Sequence, residues 1–252
     1  MKKRILSAPT SQNFTDALSA WRLLLIASLI GGLLGAAFYQ LWTPPYRAMA
    51  RVVIDQNLEK ALPAAPDREV FYFLERETQK LEELALSDEV MGQVVDEVKN
   101  VSMAQLRGKL LQLSQPGDGG WRLYGIAKTP ERARQLAKTW SKVFTEKVEQ
   151  AVAASREMAV LQKELTDLQG DLTPEAETQR VTLEARIQGL EAASFAIHPE
   201  VQVYQSQKKE IAVDRTVNIG VYIFTGAISA LFLMLLMTTF TGEIQESETD
   251  ED

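Results

Sequence analysis

Apolar residues gather at the two ends of the chain and recur at changing intervals between them. Leu23 to Trp42 and Val217 to Phe240 hold no acidic or basic side chain. Each is about the twenty residues that a helix needs to cross ~30 Å of hydrocarbon, so the pattern predicts two transmembrane helices. A polar stretch of about twenty residues precedes the first run, which is longer than a signal-peptide core and is followed by no small-x-small cleavage site. It is therefore read as a retained span.

Pro44 and Pro45 stop that helix, because a proline ring blocks the helical hydrogen bond and clashes with the preceding turn. From Tyr46 the period is two: Tyr46, Ala48, Ala50, Val52 and Ile54 alternate with Arg47, Met49, Arg51 and Val53, which predicts a strand,. After Pro63 and Pro66, Asp67 opens a helix with Val70, Leu74, Leu81 and Leu84, and Ser87 caps a second with Met91, Val94, Val95 and Val98,. Ser102 and Gln105 have capping-box spacing,. The stretch LLQLSQPGDGGWRLYGIA predicts a hairpin around a Pro/Gly/Asp loop,. Thr129, Pro130 and Glu131 then mark a helix start,.

That helix places Ala137, Trp140, Phe144, Ala151, Ala154, Met158, Leu161, Leu165 and Leu168 in steps of three and four, the spacing of a coiled-coil seam,. Running to Gln169 it would be roughly 58 Å long. Gly170 ends it, Thr173 and Pro174 restart, and Leu183, Ile187 and Leu190 carry a returning antiparallel helix,. VQVYQS at 201–206 predicts a last strand. Strand, helices, strand, strand, helices, strand is the split βαβ order, in which the first and last strands lie side by side and antiparallel.

The expected fold is thus an α+β membrane protein. Two transmembrane helices flank an extracytoplasmic βαββαβ-like domain that carries a long antiparallel coiled-coil arm. The expected division is an N-terminus at 1–22, a span at 23–42, a membrane-proximal base at 43–130 with 196–216, the arm at 131–195, a span at 217–240 and an acidic tail at 241–252.

Charge adds orientation. Lys2, Lys3, Arg4 and Arg22 precede the first span, whereas only Arg47 and Arg51 lie just beyond it, which puts the N-terminus in the cytoplasm,. Lys208, Lys209 and Arg215 ahead of the second span argue the reverse, but they belong to a long region whose charges count for little. Both termini are then cytoplasmic and the middle region is periplasmic or extracytoplasmic. Most of the net charge of -7 comes from Glu243, Glu246, Glu248, Asp250, Glu251 and Asp252, read as an irregular solvated end,. Cysteine is absent, so disulfides and Cys-ligated metal are excluded,. Nucleic acid is not an expected ligand.

Few side chains in the sequence are spaced for chemistry. His198 precedes a proline and is read as a turn residue, Gly108 to Leu110 lacks the spacing of a phosphate loop, and Glu82 with Glu83 or Glu175 with Glu177 are read as solvated helix faces,. No catalytic residue, cofactor or metal is expected. Gly31 and Gly35 form G-x-x-x-G, and Gly226 with Ala230 give the second span a comparable small face, the pattern that lets membrane helices approach closely,.

The layout from about residue 15 to 242 resembles the bacterial polysaccharide co-polymerases, the Wzz-type chain-length determinant family. The likeness lies in the two-span frame, in PPYRAMARVVI after the first span, and in LRGKLLQLSQ with WRLYGIAKTPERARQLAKTW ahead of the helical arm. The sequence departs in having no proline in QKKEIAVDRTVNIG before the second span, and no fused tyrosine kinase. The resemblance implies an inner-membrane homo-oligomer without enzymatic activity. Such a protein sets the chain length of lipopolysaccharide O-antigen, capsule or exopolysaccharide by acting on a polymerase or export machine. It implies further that Gly31 and Gly35 meet neighbours or the polymerase, and that Glu131 to Ala193 builds inter-subunit contacts. Two other readings fit the same residues: a membrane adaptor that activates a separate tyrosine kinase through its tail, and a coiled-coil scaffold with no polysaccharide role.

Overall fold

The computed structural model describes residues 21–64, 66–114, 120–168, 173–205 and 211–249, with backbone only at 205 and from 238 onward. In chain order the elements are α1 (Trp21–Leu41), β1 (Tyr46–Asp55), α2 (Leu58–Ala61), α3 (Asp67–Ala85), α4 (Asp88–Val98), α5 (Met103–Gln105) with a π-helical turn over Leu106–Leu110, β2 (Leu111–Ser114) and β3 (Gly120–Ala127). They continue as α6 (Pro130–Asp167), α7 (Pro174–Ser194), β4 (Gln202–Gln205), β5 (Val213–Arg215) and α8 (Ile219–Thr249). The chain divides into two compact units, Pro45–Asp214 and the terminal segments Met1–Pro44 with Arg215–Asp252.

In the first unit the sheet runs β2-β3-β1-β4, every pair antiparallel. β1 meets β3 from Tyr46↔Ala127 to Val53↔Gly120, and β4 from Val52↔Gln205 to Asp55↔Gln202. This is the split βαβ topology, with first and last strands adjacent as the element order predicts. β5 is an addition that the alternation did not disclose. It pairs with β1, and Met49 N–H donates to Ala212 O at 3.4 Å. Because β3 occupies one edge of β1 along its length, β5 shares the other edge with β4, so the returning strand comes in two pieces.

The period of two in β1 puts Ala48, Ala50 and Val52 under one face, where they are buried with Trp121 and Leu123 of β3. Against them pack Val90, Met91 and Val94 of α4 and Ala133, Leu136, Ala137, Trp140 and Phe144 of α6. At Gly125 an added Cβ would stand 2.5 Å from the Ala133 carbonyl oxygen and 2.6 Å from the Ala137 nitrogen, so only glycine lets α6 lie this close to the sheet,. Trp140 Nε1–H donates to Ala85 O at 3.0 Å, which satisfies its one polar atom in the core,.

Helix starts follow the capping residues. Ser87, Thr129 and Thr173 each accept a backbone N–H near 3.3 Å, and Ser102 with Gln105 forms a complete capping box,. Three arginines tie helix ends and loops together. Arg107 donates to Leu86 O at 2.8 Å and to Asp88 Oδ1 at 2.5 Å. Arg132 donates to Val98 O at 2.7 Å and to Lys99 O, and Arg156 to Pro199 O at 2.8 Å and Val201 O at 3.3 Å.

Two features differ from expectation. The long helix is one piece from Pro130 to Asp167, but its first half, through Val152, is core of the α/β domain rather than arm. The division at 130/131 therefore falls inside the base, because a helix covering a sheet needs the same spacing of apolar residues as a coiled-coil seam. The acidic end also differs, since α8 stays helical through Glu243, Glu246 and Glu248 to Thr249. A helix already nucleated by an apolar span gains one hydrogen bond for each residue added, and Glu and Gln are good helix formers. Lys2, Lys3, Arg4, Gly117 to Gly119, Gly170, Lys208, Lys209 and residues 250–252 lie outside the described residues.

Candidate functional site

The terminal unit is built around two apolar helices. Trp21–Leu41 and Ile219–Met237 are each long and apolar enough to cross a membrane. Leu25, Leu29, Leu33, Leu34, Phe224, Phe232 and Leu233 are all more than half exposed, a surface that water would penalise and hydrocarbon would not,. The two helices fit a membrane protein with two spans.

The spans pack on each other through their small residues. A Cβ added at Gly31 would collide with Ala230 Cβ and the Gly226 carbonyl, one at Gly35 with the Tyr222 carbonyl, and one at Gly226 with the Gly31 carbonyl. Without side chains there, the backbones approach closely enough for van der Waals contact along the crossing, which drives helix association in lipid. Gly31, Gly35, Gly226 and Ala230 thus come together in one seam. Gly31 and Gly35 also line the open side of this seam. At one end of the pair Tyr39 meets Tyr222 edge-on at 5.3 Å, and the Arg215 guanidinium lies 5.2 Å from the Tyr39 ring centroid. Aromatics and a cation at a span end suit the membrane–water boundary. Beside the seam an open groove of ≈ 590 Å³ is lined by Leu34, Phe38, Val221, Thr225, Ser229 and Leu233 among others.

The seam residues of the arm divide into two groups. Ala137, Trp140, Phe144 and Ala151 are buried in the base, and Leu161 is buried where α6 meets α7. Met158, Leu165 and Leu168 stay half-buried, as do Leu183, Ile187 and Leu190 of α7. Val160 and Val181 are 57% and 59% exposed. A groove of ≈ 460 Å³ between the two helices, lined by Leu168, Leu183 and Arg186 among others, shows that the pair does not close its own apolar stripe. Arg186 Nη2 to Glu157 Oε1 at 2.6 Å is a surface pair between the two helices, worth about 0–1 kcal/mol.

One carboxylate that the periodicity did not single out is buried. Glu77, 2% exposed, accepts from Lys80 Nζ at 2.5 Å and from the His198 N–H at 3.1 Å. Lys80 also donates to Ala196 O at 2.5 Å, and Ser155 Oγ to Ile197 O at 2.7 Å. Together these hold the turn between α7 and β4, where Phe195 and Ala196 have φ of 49° and 51°. His198 stacks edge-on against Phe73 at 5.5 Å, and its Nδ1 accepts from Glu200 N–H at 3.3 Å, so its ring is engaged in the turn. On the surface, the hydrogen bond from Lys142 to Glu97 at 3.2 Å, with the charges of Glu97 and Glu146, raises the Lys142 ammonium above its ordinary range,. Among the described residues no group of three or more His, Cys, Asp or Glu side chains is placed to hold a metal.

No family model and no curated protein matches the chain. Among solved structures it is similar to one described as a full-length bacterial polysaccharide co-polymerase, over 92% of this chain and 97% of that one, at 11% identity and a TM-score of 0.39.

Proposed function

We propose that this protein is a two-span inner-membrane subunit that, as a homo-oligomer and without chemistry of its own, regulates the chain length or export of a bacterial surface polysaccharide. The observation that carries the reading is the frame. A split βαβ sheet begins at Tyr46, just after α1, and closes at Arg215, just before α8, while a two-helix arm leaves its own apolar stripe half covered. Added to the motif order of PPYRAMARVVI, the hairpin and TPERARQLAKTW, this frame fits a chain-length determinant. In this reading both termini lie in the cytoplasm, the arm meets other subunits, and a polymerase or export machine meets the membrane groove beside Thr225 and Ser229.

Gel profiles of surface polysaccharide with and without the protein test it. The modal length should broaden or shift on deletion. It should also shift in the variant with Gly31→Leu and Gly35→Leu, which forces the spans apart. An unchanged ladder in the deletion would end the reading. The helical continuation of the acidic end favours a second one, an adaptor for a separate tyrosine kinase. Removing residues 243–252 separates the two, since an adaptor loses kinase activation and a length regulator keeps its ladder.

A further inference from the structure

We propose that the uncovered face of the sheet binds an acidic glycan, a sugar polymer carrying carboxylate or phosphate groups. This rests on the proposed function, which puts the domain beside a growing polysaccharide outside the cytoplasm. Among the described residues, helices cover the face of Ala48, Ala50 and Val52, while Arg47, Met49 and Arg51 on the other face are exposed. The opposite face presents Arg47, Met49, Arg51 and Val53 of β1, with Arg122 and Tyr124 of β3 and Tyr204 of β4 across from them. Arg51 stands directly opposite Arg122, Met49 opposite Tyr124, and Val53 opposite Tyr204.

Like charges on facing strand positions repel, yet this sheet brings three arginines onto one face of a chain whose net charge is -7. Its accommodation extends to Gly120, where an added Cβ would collide with Arg51 Nε, so the missing side chain leaves room for the guanidinium to lie along the strand. Arg51 and Arg122 also have partners within the chain. An arginine has five N–H donors in a fixed fork, so a held guanidinium can still offer a bidentate pair to a carboxylate or phosphate. Arg47 lies 4.8 Å from the Tyr124 ring centroid, which orients it without neutralising it. Two acids share the face: Asp55 at its far end is turned to the Asn57 N–H at 2.9 Å, and Asp214 of β5, which alternates with the core-packed Val213, leaves the three arginines one charge in excess.

Charge complementarity selects an anion, and shape selects a polymer. The patch runs along β1 from Arg47 to Val53, about 20 Å at ~3.4 Å per residue, on an open sheet surface. Small ligands prefer concave pockets, and a flat strip of separated cations interleaved with tyrosines suits a chain that lies across it. Tyr204, 52% exposed, offers an apolar ring face to the carbon face of a sugar, while Tyr124 carries Arg47 on its ring,.

The test uses the full chain in phosphatidylcholine nanodiscs, with polygalacturonate fragments as probe and dextran of equal length as the neutral comparison. Polygalacturonate should bind more tightly than dextran, weaken as salt rises, and lose at least about tenfold in affinity in R51S/R122S at unchanged melting temperature. Arg186→Ser on the arm should bind as the unchanged protein does. If R51S/R122S does not fold, Arg47→Ser on the exposed end of the patch serves instead, with an expected loss of about threefold. Equal affinity for dextran, no loss in the arginine variants, or tighter binding of a single-stranded oligonucleotide of equal charge would overturn the proposal. So would displacement of the glycan by phosphatidylglycerol added to the nanodisc. A deletion that leaves the polysaccharide ladder unchanged counts against the proposed function, whereas failed binding with a protein-dependent ladder removes only the glycan face.

Discussion

The two halves of α6 carry the same spacing of apolar residues and meet different partners. From Ala133 to Val152 the stripe is buried against the sheet and α4. From Met158 to Leu168 only Leu161 is buried, against a single antiparallel helix. A helical period says that one stripe seeks cover and carries no mark of what will cover it. Residue size does carry one. The first half interleaves Trp140 and Phe144 with Ala133, Ala137 and Ala151, large beside small, which fits a close approach to a twisted sheet at Gly125. The second half uses Met158, Leu161, Leu165 and Leu168, long aliphatics of similar length that serve a looser helix pair.

This contrast can be broken at its strongest point by Gly125→Leu. The side chain would press on the α6 backbone, and the base should fail to fold or lose most of its stability,. Gly189→Leu in α7, where nothing lies within 4 Å of an added Cβ, should leave the melting temperature unchanged or slightly higher,. Equal behaviour of the two variants would mean that arm and base are one cooperative core. Next in size, Trp140→Ala should cost about 3–5 kcal/mol and Leu161→Ala about 2 kcal/mol by chemical denaturation. If Leu161→Ala costs as much as Trp140→Ala, the arm is as tightly closed as the base and the contrast is mistaken.

The smallest expected effect tests how the base holds its helices from outside. Lys142 has its folded pKa raised, first by the hydrogen bond to Glu97 and then by the charges of Glu97 and Glu146. A raised folded pKa gives stability that is complete below the unfolded lysine value of ~10.4 and is lost as pH climbs through the folded value. Melting temperatures of Glu97→Gln and the unchanged protein should therefore differ slightly at pH 8 and converge as the pH rises past the folded lysine value,. A gap that persists at high pH would assign the effect to something other than Lys142.

Much of the fold was legible because its signals are local. Pro44 with Pro45, the alternation from Tyr46, and the caps at Ser87, Thr129 and Thr173 act within a few residues of themselves and coincide with element boundaries. The adjacency of β1 and β4 followed from element order, since few topologies satisfy a split βαβ unit,. β5 was not legible because three residues, two of them charged, carry no periodic signal. The arginine ties at Arg107, Arg132 and Arg156 were also hidden, because each reaches loop carbonyls whose position depends on the packed core. The acidic end misled because composition measures solubility, while helix continuation depends on what precedes it.

By itself the sequence determined two apolar helices, a half-buried first strand and a long helix with one apolar stripe, since each follows from side-chain period and backbone sterics along a short stretch. Tertiary structure alone decided which surfaces meet. Gly31 and Gly35 close on Gly226 and Tyr222 of the same chain, half of the long stripe belongs to the sheet, and Arg51 comes to face Arg122. Those outcomes depend on register and packing between segments far apart in the chain, where burial and close contact choose among partners that local pattern leaves equivalent.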